Sequence, residues 1–159
     1  MSSAITIYTD GSARGNPGPG GYGAILIFGT YRKEMSQGYK LTTNNRMELL
    51  AVIVALETLK RNDIPVKIYS DSKYVVDAVE KGWLNNWVRT AFKGGKKNKD
   101  LWMRYFNLSK KINIQFHWVK GHADNPLNNR CDVLATMAAD NGPHLVDEGY
   151  EQLNNDLLL

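Results

Sequence analysis

The chain predicts an α/β fold, a mixed five-stranded sheet flanked by helices. Three observations predict it. Short β-branched segments recur along the sequence, apolar stretches of helical length separate the later ones, and Gly/Pro/Asn clusters punctuate the boundaries. The order is three strands, helix, strand, helices, strand, helix. Three strands in immediate succession can form an antiparallel meander. The later two each follow a helix, so each joins a neighbour in parallel. Helices then cover the faces of the sheet.

Residues 4–10, AITIYTD, alternate and form the first strand. GSARGNPGPGGYG follows as a Gly/Pro turn region. YGAILIF at 22–28 and a segment over roughly 31–41 are strands joined by Gly29-Thr30, a short hairpin signal. Thr42, Thr43, Asn44 and Asn45 offer N-cap side chains for a helix running to about Arg61. Pro65 breaks the chain before VKIYSD, the fourth strand. Short helices are expected at 73–81 and 83–90, a basic loop at 93–99 and a helix at 100–110. INIQFHWV, 112–119, is the fifth strand. Asn125-Pro126 supplies an N-cap and an N1 proline for a helix to about Asp140, which Gly142-Pro143 ends.

The length of 159 residues suits one domain over 1–142 with an acidic and apolar C-terminal tail, 143–159. Hydrophobic residues are 43% and charged residues 23%, which excludes a disordered chain. No apolar run reaches the roughly 18 residues of a membrane span. The start lacks a basic segment followed by an apolar one, against a secretory signal. The single cysteine, Cys131, excludes an internal disulfide and fits a reducing cytoplasm.

The net charge of +4 is unevenly placed. Four acids and no Lys or Arg lie beyond Asn141, so 1–142 carries 20 basic and 12 acidic residues, a net +8. Such a body suits a polyanionic partner, although a basic soluble protein need have none.

Several carboxylates occupy unusual places. Asp10 ends the first strand and Asp71 the fourth, where ligands gather in open α/β sheets. Either alone is equally a turn aspartate. Glu48 opens MELLAVIVALETL, a helix apolar nearly all round, and a buried Glu needs a partner. A cation would serve, and so would the helix dipole at a solvated edge. Asp132 lies off the apolar face of the last helix and by itself passes as a surface acid. Together these four would supply hard oxygen ligands suited to Mg²⁺ or Mn²⁺. Without cations they would repel one another. His122, in VKGHADNP, is either a proton shuttle beside such a site or an exposed loop histidine; His117 is a strand side chain.

The segment 81–99, KGWLNNWVRTAFKGGKKNK, carries six basic residues and no acid. Trp83, Trp87 and Phe92 interleave them. Lysines can neutralise phosphates while the aromatic rings pack on sugars or bases; otherwise the rings are core anchors under a charged loop. GSARGNPGPGG is neither a Walker A motif nor a dinucleotide fingerprint.

Assembled, YTDGSARGNPGPGGYGAIL, TTNNRMELLAVIVALE, IYSDSKYV, LNNWV with its lysines, DLWMR and WVKGHADNPLNNRCDVLA resemble the bacterial type 1 ribonucleases H, in family order over roughly residues 5–140. The resemblance implies a ribonuclease H-like fold and Mg²⁺-dependent endonucleolytic cleavage of the RNA strand of RNA–DNA hybrids, leaving 5′-phosphate and 3′-hydroxyl ends. It implies two Mg²⁺ ions, with Mn²⁺ as a substitute, held by Asp10, Glu48, Asp71 and Asp132, and His122 as the auxiliary catalytic residue. Gly11, Asn16, Asn44 and Asn45 would face the RNA strand, as would the residue at 73. Thr43 and Asn98 would hold a DNA phosphate, and Trp83, Trp87, Lys93, Lys96 and Lys97 would meet the DNA strand. Lys73 stands where the family usually has glutamine, Leu41 where an arginine is frequent, and Ala13 where a cysteine is frequent. The implied protein is a cytoplasmic monomer. A replication or repair partner is not identifiable from sequence. A non-catalytic hybrid-binding module would have no need of the acids. An integrase or junction resolvase would lack TTNNRMEL and VKGHADNPLNNRCD.

Overall fold

The fold is seen in a computed structural model, which describes residues 3–121 and 124–152. The chain runs β1 (Ile5–Ala13), β2 (Gly18–Phe28), β3 (Tyr31–Thr42), α1 (Asn44–Thr58), β4 (Val66–Ser70), α2 (Lys73–Glu80), α3 (Trp83–Arg89), α4 (Lys99–Ser109), β5 (Ile114–Trp118), α5 (Pro126–Asn141) and β6 (His144–Leu145). The sheet order is β5-β4-β1-β2-β3-β6. The β1–β2–β3 meander is antiparallel and β1–β4–β5 is parallel, as strand order and intervening helices predict.

The caps explain where the helices begin. The Thr43 hydroxyl accepts from the Arg46 N–H, the Ser72 hydroxyl from Val75, and the Asn125 carboxamide from Asn128, with Pro126 following it. α1 stops at Thr58, short of Arg61, because Leu59 is already extended. α1 packs on one face of β1 and β2, and α5 covers the other face of β1–β3. Ile7, Leu49, Ile53, Leu56, Ile68 and Trp102 are fully buried in one core, to which α4 contributes Trp102. Each such side chain stabilises the fold by about 2 kcal/mol through burial.

Two expectations are corrected. The Gly-rich segment is mostly strand: β1 extends to Ala13 and β2 starts at Gly18, leaving only 14–17 as the turn. Its glycines reflect helix packing as well as turning. A Cβ on Gly23 would lie 2.5 Å from the Cys131 carbonyl oxygen, so α5 rests directly on the β2 backbone. Among the described residues the sheet also has six strands, not five. β6, only two residues long, pairs in parallel with β3 at Gly38 and Tyr39. Two residues are too short to show alternation, so sequence periodicity cannot reveal them. The C-terminal segment thus docks on the body through β6 and Asp147. Leu157, Leu158 and Leu159 lie outside the described residues.

Candidate active site and nucleic-acid interface

The register of the parallel strands builds the acidic centre. The last β1–β4 pair is Thr9 with Ser70, so Asp10 and Asp71 emerge side by side one position later. Asp10 does not end its strand, because the antiparallel pairing with β2 carries β1 three residues further. Glu48 reaches the same point from the second turn of α1. Oxygen atoms of Asp10, Glu48 and Asp71 lie within 4.8 Å of one another.

Close approach of α1 to β1 makes this possible. A Cβ on Gly11 would sit 2.3 Å from the Glu48 backbone nitrogen, so only glycine fits. The Gly11 N–H donates to Glu48 Oε1 at 2.6 Å and to Asp10 Oδ1 at 2.9 Å. Gly11, expected to face RNA, therefore ties two carboxylates together.

Electrostatics fit a cation centre. Burial, then the charges of Asp71 and Asp132, push the Asp10 carboxyl from 3.8 up to about 7, although hydrogen bonds from Glu48 and Gly11 oppose the rise. Burial drives Glu48 well above the ordinary range, and its hydrogen bond to Asp10 and the nearby charges add to this. Among the described residues, Glu48 Oε2 is buried and receives no hydrogen bond. A buried carboxylate oxygen without a donor, beside two more acids, is the donor set a hard divalent cation requires. Asp132, half-buried on α5, lies outside the close trio but near enough for its charge to reach Asp10. Gly121 abuts the Asp71 carboxylate. The next residue, His122, lies outside the described residues.

A polar ledge adjoins the acids. The Asn44 N–H donates to Asn16 Oδ1 at 3.1 Å, and the Ala13 N–H donates to Asn44 Oδ1 at 2.6 Å. The β1–β2 turn is thus pinned to the start of α1, with Asn44 and Asn45 exposed beside it. Lys73 lies 4.8 Å over the Trp118 ring, whose Nε1–H donates to the Asp71 carbonyl at 3.2 Å.

The basic segment divides in two. Trp83 is 43% exposed, with Lys81 over its ring. Trp87 is an anchor: it packs edge-on to buried Trp102 at 5.8 Å and near Phe92 at 6.4 Å. Lys96 lies over its outer face, and Lys93, Lys96 and Lys97 project from an exposed loop. The core-anchor reading therefore holds for Trp87, while Trp83 and the lysines stay at the surface.

Sequence reasoning missed Arg46. It is 3% exposed, two residues before Glu48. It donates to Asp147, Asp100 and Asn98. Burial opposes its charge, but the two carboxylates prevail and raise its pKa. The signal was present: an arginine in an otherwise apolar helix needs acidic partners as much as Glu48 needs a cation.

Fold and site together define an α/β protein with a carboxylate centre beside a basic arm. The family model described as RNase H matches residues 2–140, and the chain belongs to that family. Among curated relatives, a Ribonuclease H of Desulforamulus reducens is 54% identical over 139 residues, 85% of this chain and 87% of the relative. A Ribonuclease HI of Synechocystis is 49% identical over 154 residues, covering 93% and 95%. Among solved structures, LC9-RNase H1, described as a type 1 RNase H with the type 2 active-site motif, aligns with a TM-score of 0.78 at 27% identity, covering 96% of this chain and 81% of that one. LC11-RNase H1 in complex with an RNA/DNA hybrid aligns at 0.66 and 28% identity, covering 86% and 96%. Among the described residues, no helix is long and apolar enough to cross a membrane.

Proposed function

We propose that this protein is an endoribonuclease that hydrolyses the RNA strand of RNA–DNA hybrids and leaves 5′-phosphate and 3′-hydroxyl ends. The observation that carries the reading is the trio Asp10, Glu48 and Asp71, with a buried oxygen on Glu48 that receives no hydrogen bond among the described residues, in a chain of the RNase H family. These three residues with Asp132 would hold two Mg²⁺ ions, or Mn²⁺ in their place. Bound there, the ions supply a lowered pKa for the attacking water and stabilisation for the leaving oxygen.

The chain's own groups do the rest. Gly11 fixes the Asp10 and Glu48 carboxylates through its N–H. His122 moves a proton at the attacking water or the departing product. Gly11, Asn16, Asn44, Asn45 and Lys73 read the RNA strand, whose 2′-hydroxyls distinguish it from DNA. Thr43, Asn98, Trp83, Trp87, Lys93, Lys96 and Lys97 hold the DNA strand. Such backbone contacts carry no base information, so cleavage has little sequence preference. The protein acts as a cytoplasmic monomer with its catalytic body in 1–142.

The test is cleavage of a labelled RNA–DNA hybrid with Mg²⁺, beside RNA–RNA and DNA–DNA duplexes and an Asp10→Asn variant. Hybrid-only cutting of RNA, abolished by the variant and by chelator, is expected. Binding without cutting would leave a hybrid-binding module, and cutting of DNA duplexes would point to resolvase-like chemistry.

A further inference from the structure

Tyr74, near the start of α2, has a hydroxyl whose hydrogen-bond directions are forced by its neighbours. The Trp102 indole N–H can only donate, and it donates to the Tyr74 oxygen at 2.8 Å. Asn98 Nδ2 donates to the same oxygen at 2.9 Å. The orientation of that carboxamide is not free. Arg46 can only donate, and its Nη1 donates to Asn98 Oδ1 at 3.3 Å, which leaves Nδ2 to face Tyr74. Both acceptor positions of the Tyr74 oxygen are therefore filled. Its own proton remains to be donated, and no acceptor for it is found among the described residues.

The surroundings show what such a donor meets. Tyr74 lines a cavity of about 310 Å³ together with Asn45, Trp87, Lys96, Lys97 and Asn98. Two lysines, two carboxamides and no acid line it, a composition that suits an anion, and residues 94–97 of the exposed basic loop form part of its wall. Two N–H groups donating into one hydroxyl polarise it and strengthen its outward donation.

We propose that the Tyr74 hydroxyl donates directly to a backbone phosphate of the bound hybrid, with Arg46, through Asn98, as the positioning residue that sets its direction. This rests on the hybrid-binding reading above. It gives a role to a residue of IYSDSKYV that the sequence reading left unassigned, because the tyrosine ring reads as core: it packs 5.7 Å from Trp102.

The test is Tyr74→Phe, which keeps the ring and deletes only the hydroxyl. Michaelis constants are measured on a hybrid with native phosphates and on the same hybrid carrying one neutral methylphosphonate, scanned along each strand. The RNA strand keeps 2′-hydroxyls over one short stretch only and is 2′-O-methylated elsewhere, so that cleavage fixes one register. Urea midpoints confirm that both proteins are folded under assay conditions. The expected result is a KM raised about tenfold with kcat nearly unchanged, the size of a lost hydrogen bond to a charged acceptor. The penalty should vanish on hybrids neutralised at one particular phosphate, and the strand on which this occurs identifies the phosphate's source. A penalty equal at every scanned position, or none on the native hybrid, would overturn the proposal. A wild-type protein that neither binds nor cuts hybrids would overturn the underlying reading instead, and this inference with it.

Discussion

Arg46 of α1 and Asp147 of the C-terminal segment form a buried ion pair, with Nε 2.8 Å from Oδ2 and Nη2 2.9 Å from Oδ1. The Thr42 hydroxyl also donates to Asp147, at 2.7 Å. Arg46 meets Asp100 in a second two-bond contact, at 2.7 and 2.9 Å. Partial burial pushes the Asp100 carboxyl up, but these hydrogen bonds and the Arg46 charge leave it below its ordinary value. One guanidinium therefore joins the helix bearing Glu48, the start of α4 and the chain beyond β6. Asp147→Asn should destabilise the protein by about 3 kcal/mol, the cost of removing one partner of a buried pair. Truncation after Asn141 should cost at least as much, since β6 goes too. Urea unfolding checks both; an unchanged midpoint for the truncated chain would show that the segment contributes nothing.

Gly11 gives a sharper test of how the site is assembled. Gly11→Ala places a methyl group 2.3 Å from the Glu48 nitrogen and 2.5 Å from the Met47 carbonyl carbon. Backbone cannot yield there as a flexible side chain would, so α1 must shift away from β1. The expected outcome is a loss of about 3 kcal/mol in stability and of about a hundredfold or more in cleavage. Wild-type cleavage by this variant would mean that the carboxylates do not depend on that approach.

The pH dependence follows from Asp10. Its carboxyl ionises near 3.8 in an unfolded chain and near 7 in the metal-free fold. Between those values the folded chain holds a proton that the unfolded chain has lost. Raising the pH through that window therefore removes stability, and the penalty is fully developed above about 7. Glu48 acts in the same direction. In chelator, Asp10→Asn should stabilise the protein at pH 7.5 by about 1–3 kcal/mol and flatten the pH profile of its urea midpoint. Added Mg²⁺ must displace these protons, so its stabilising effect should grow with pH up to about 7. A pH-independent Mg²⁺ effect would contradict this account.

How much of this was legible in the sequence depends on the range of each signal. Asp71 stood out because a strand end is a local feature, and Asp10 because the β-branched alternation stops there, although its strand runs on to Ala13; parallel pairing of the two strands follows from an intervening helix. Glu48 stood out as a charge in an apolar helix. The Gly-rich segment reads as turn because glycine and proline dominate turns, whereas Gly23 answers to α5, over a hundred residues away. Arg46 and Asp147 are likewise far apart in the chain, so neither residue alone names its partner. The tail's acidity was visible, but not that Asp147 turns inward.

Trp83 and Trp87 share a helix but should separate by experiment. Trp87 packs on Trp102 and Phe92 under the lysine loop, while Trp83 keeps 43% of its surface exposed. Trp87→Ala should cost about 3 kcal/mol of stability and weaken hybrid binding. Trp83→Ala should leave the urea midpoint within about 0.5 kcal/mol while weakening binding through lost ring contact. Equal effects of the two variants on stability would refute the division.

The lysines Lys93, Lys96 and Lys97 make the last prediction, and it separates charge from packing. All three are exposed on a loop, so removing their charges perturbs little of the core. If each meets a phosphate, binding releases a counterion at each contact. Log affinity then falls with log salt at a slope of about 0.9 per neutralised phosphate. The triple Lys→Ala variant should bind more weakly at low salt, with a slope shallower by about 2–3. Its affinity should approach that of the wild type as salt rises. Tyr74→Phe, which removes a neutral donor, should weaken binding without changing the slope. Affinity titrations across a salt series check both, and a wild-type slope in the triple variant would place these lysines away from the phosphates.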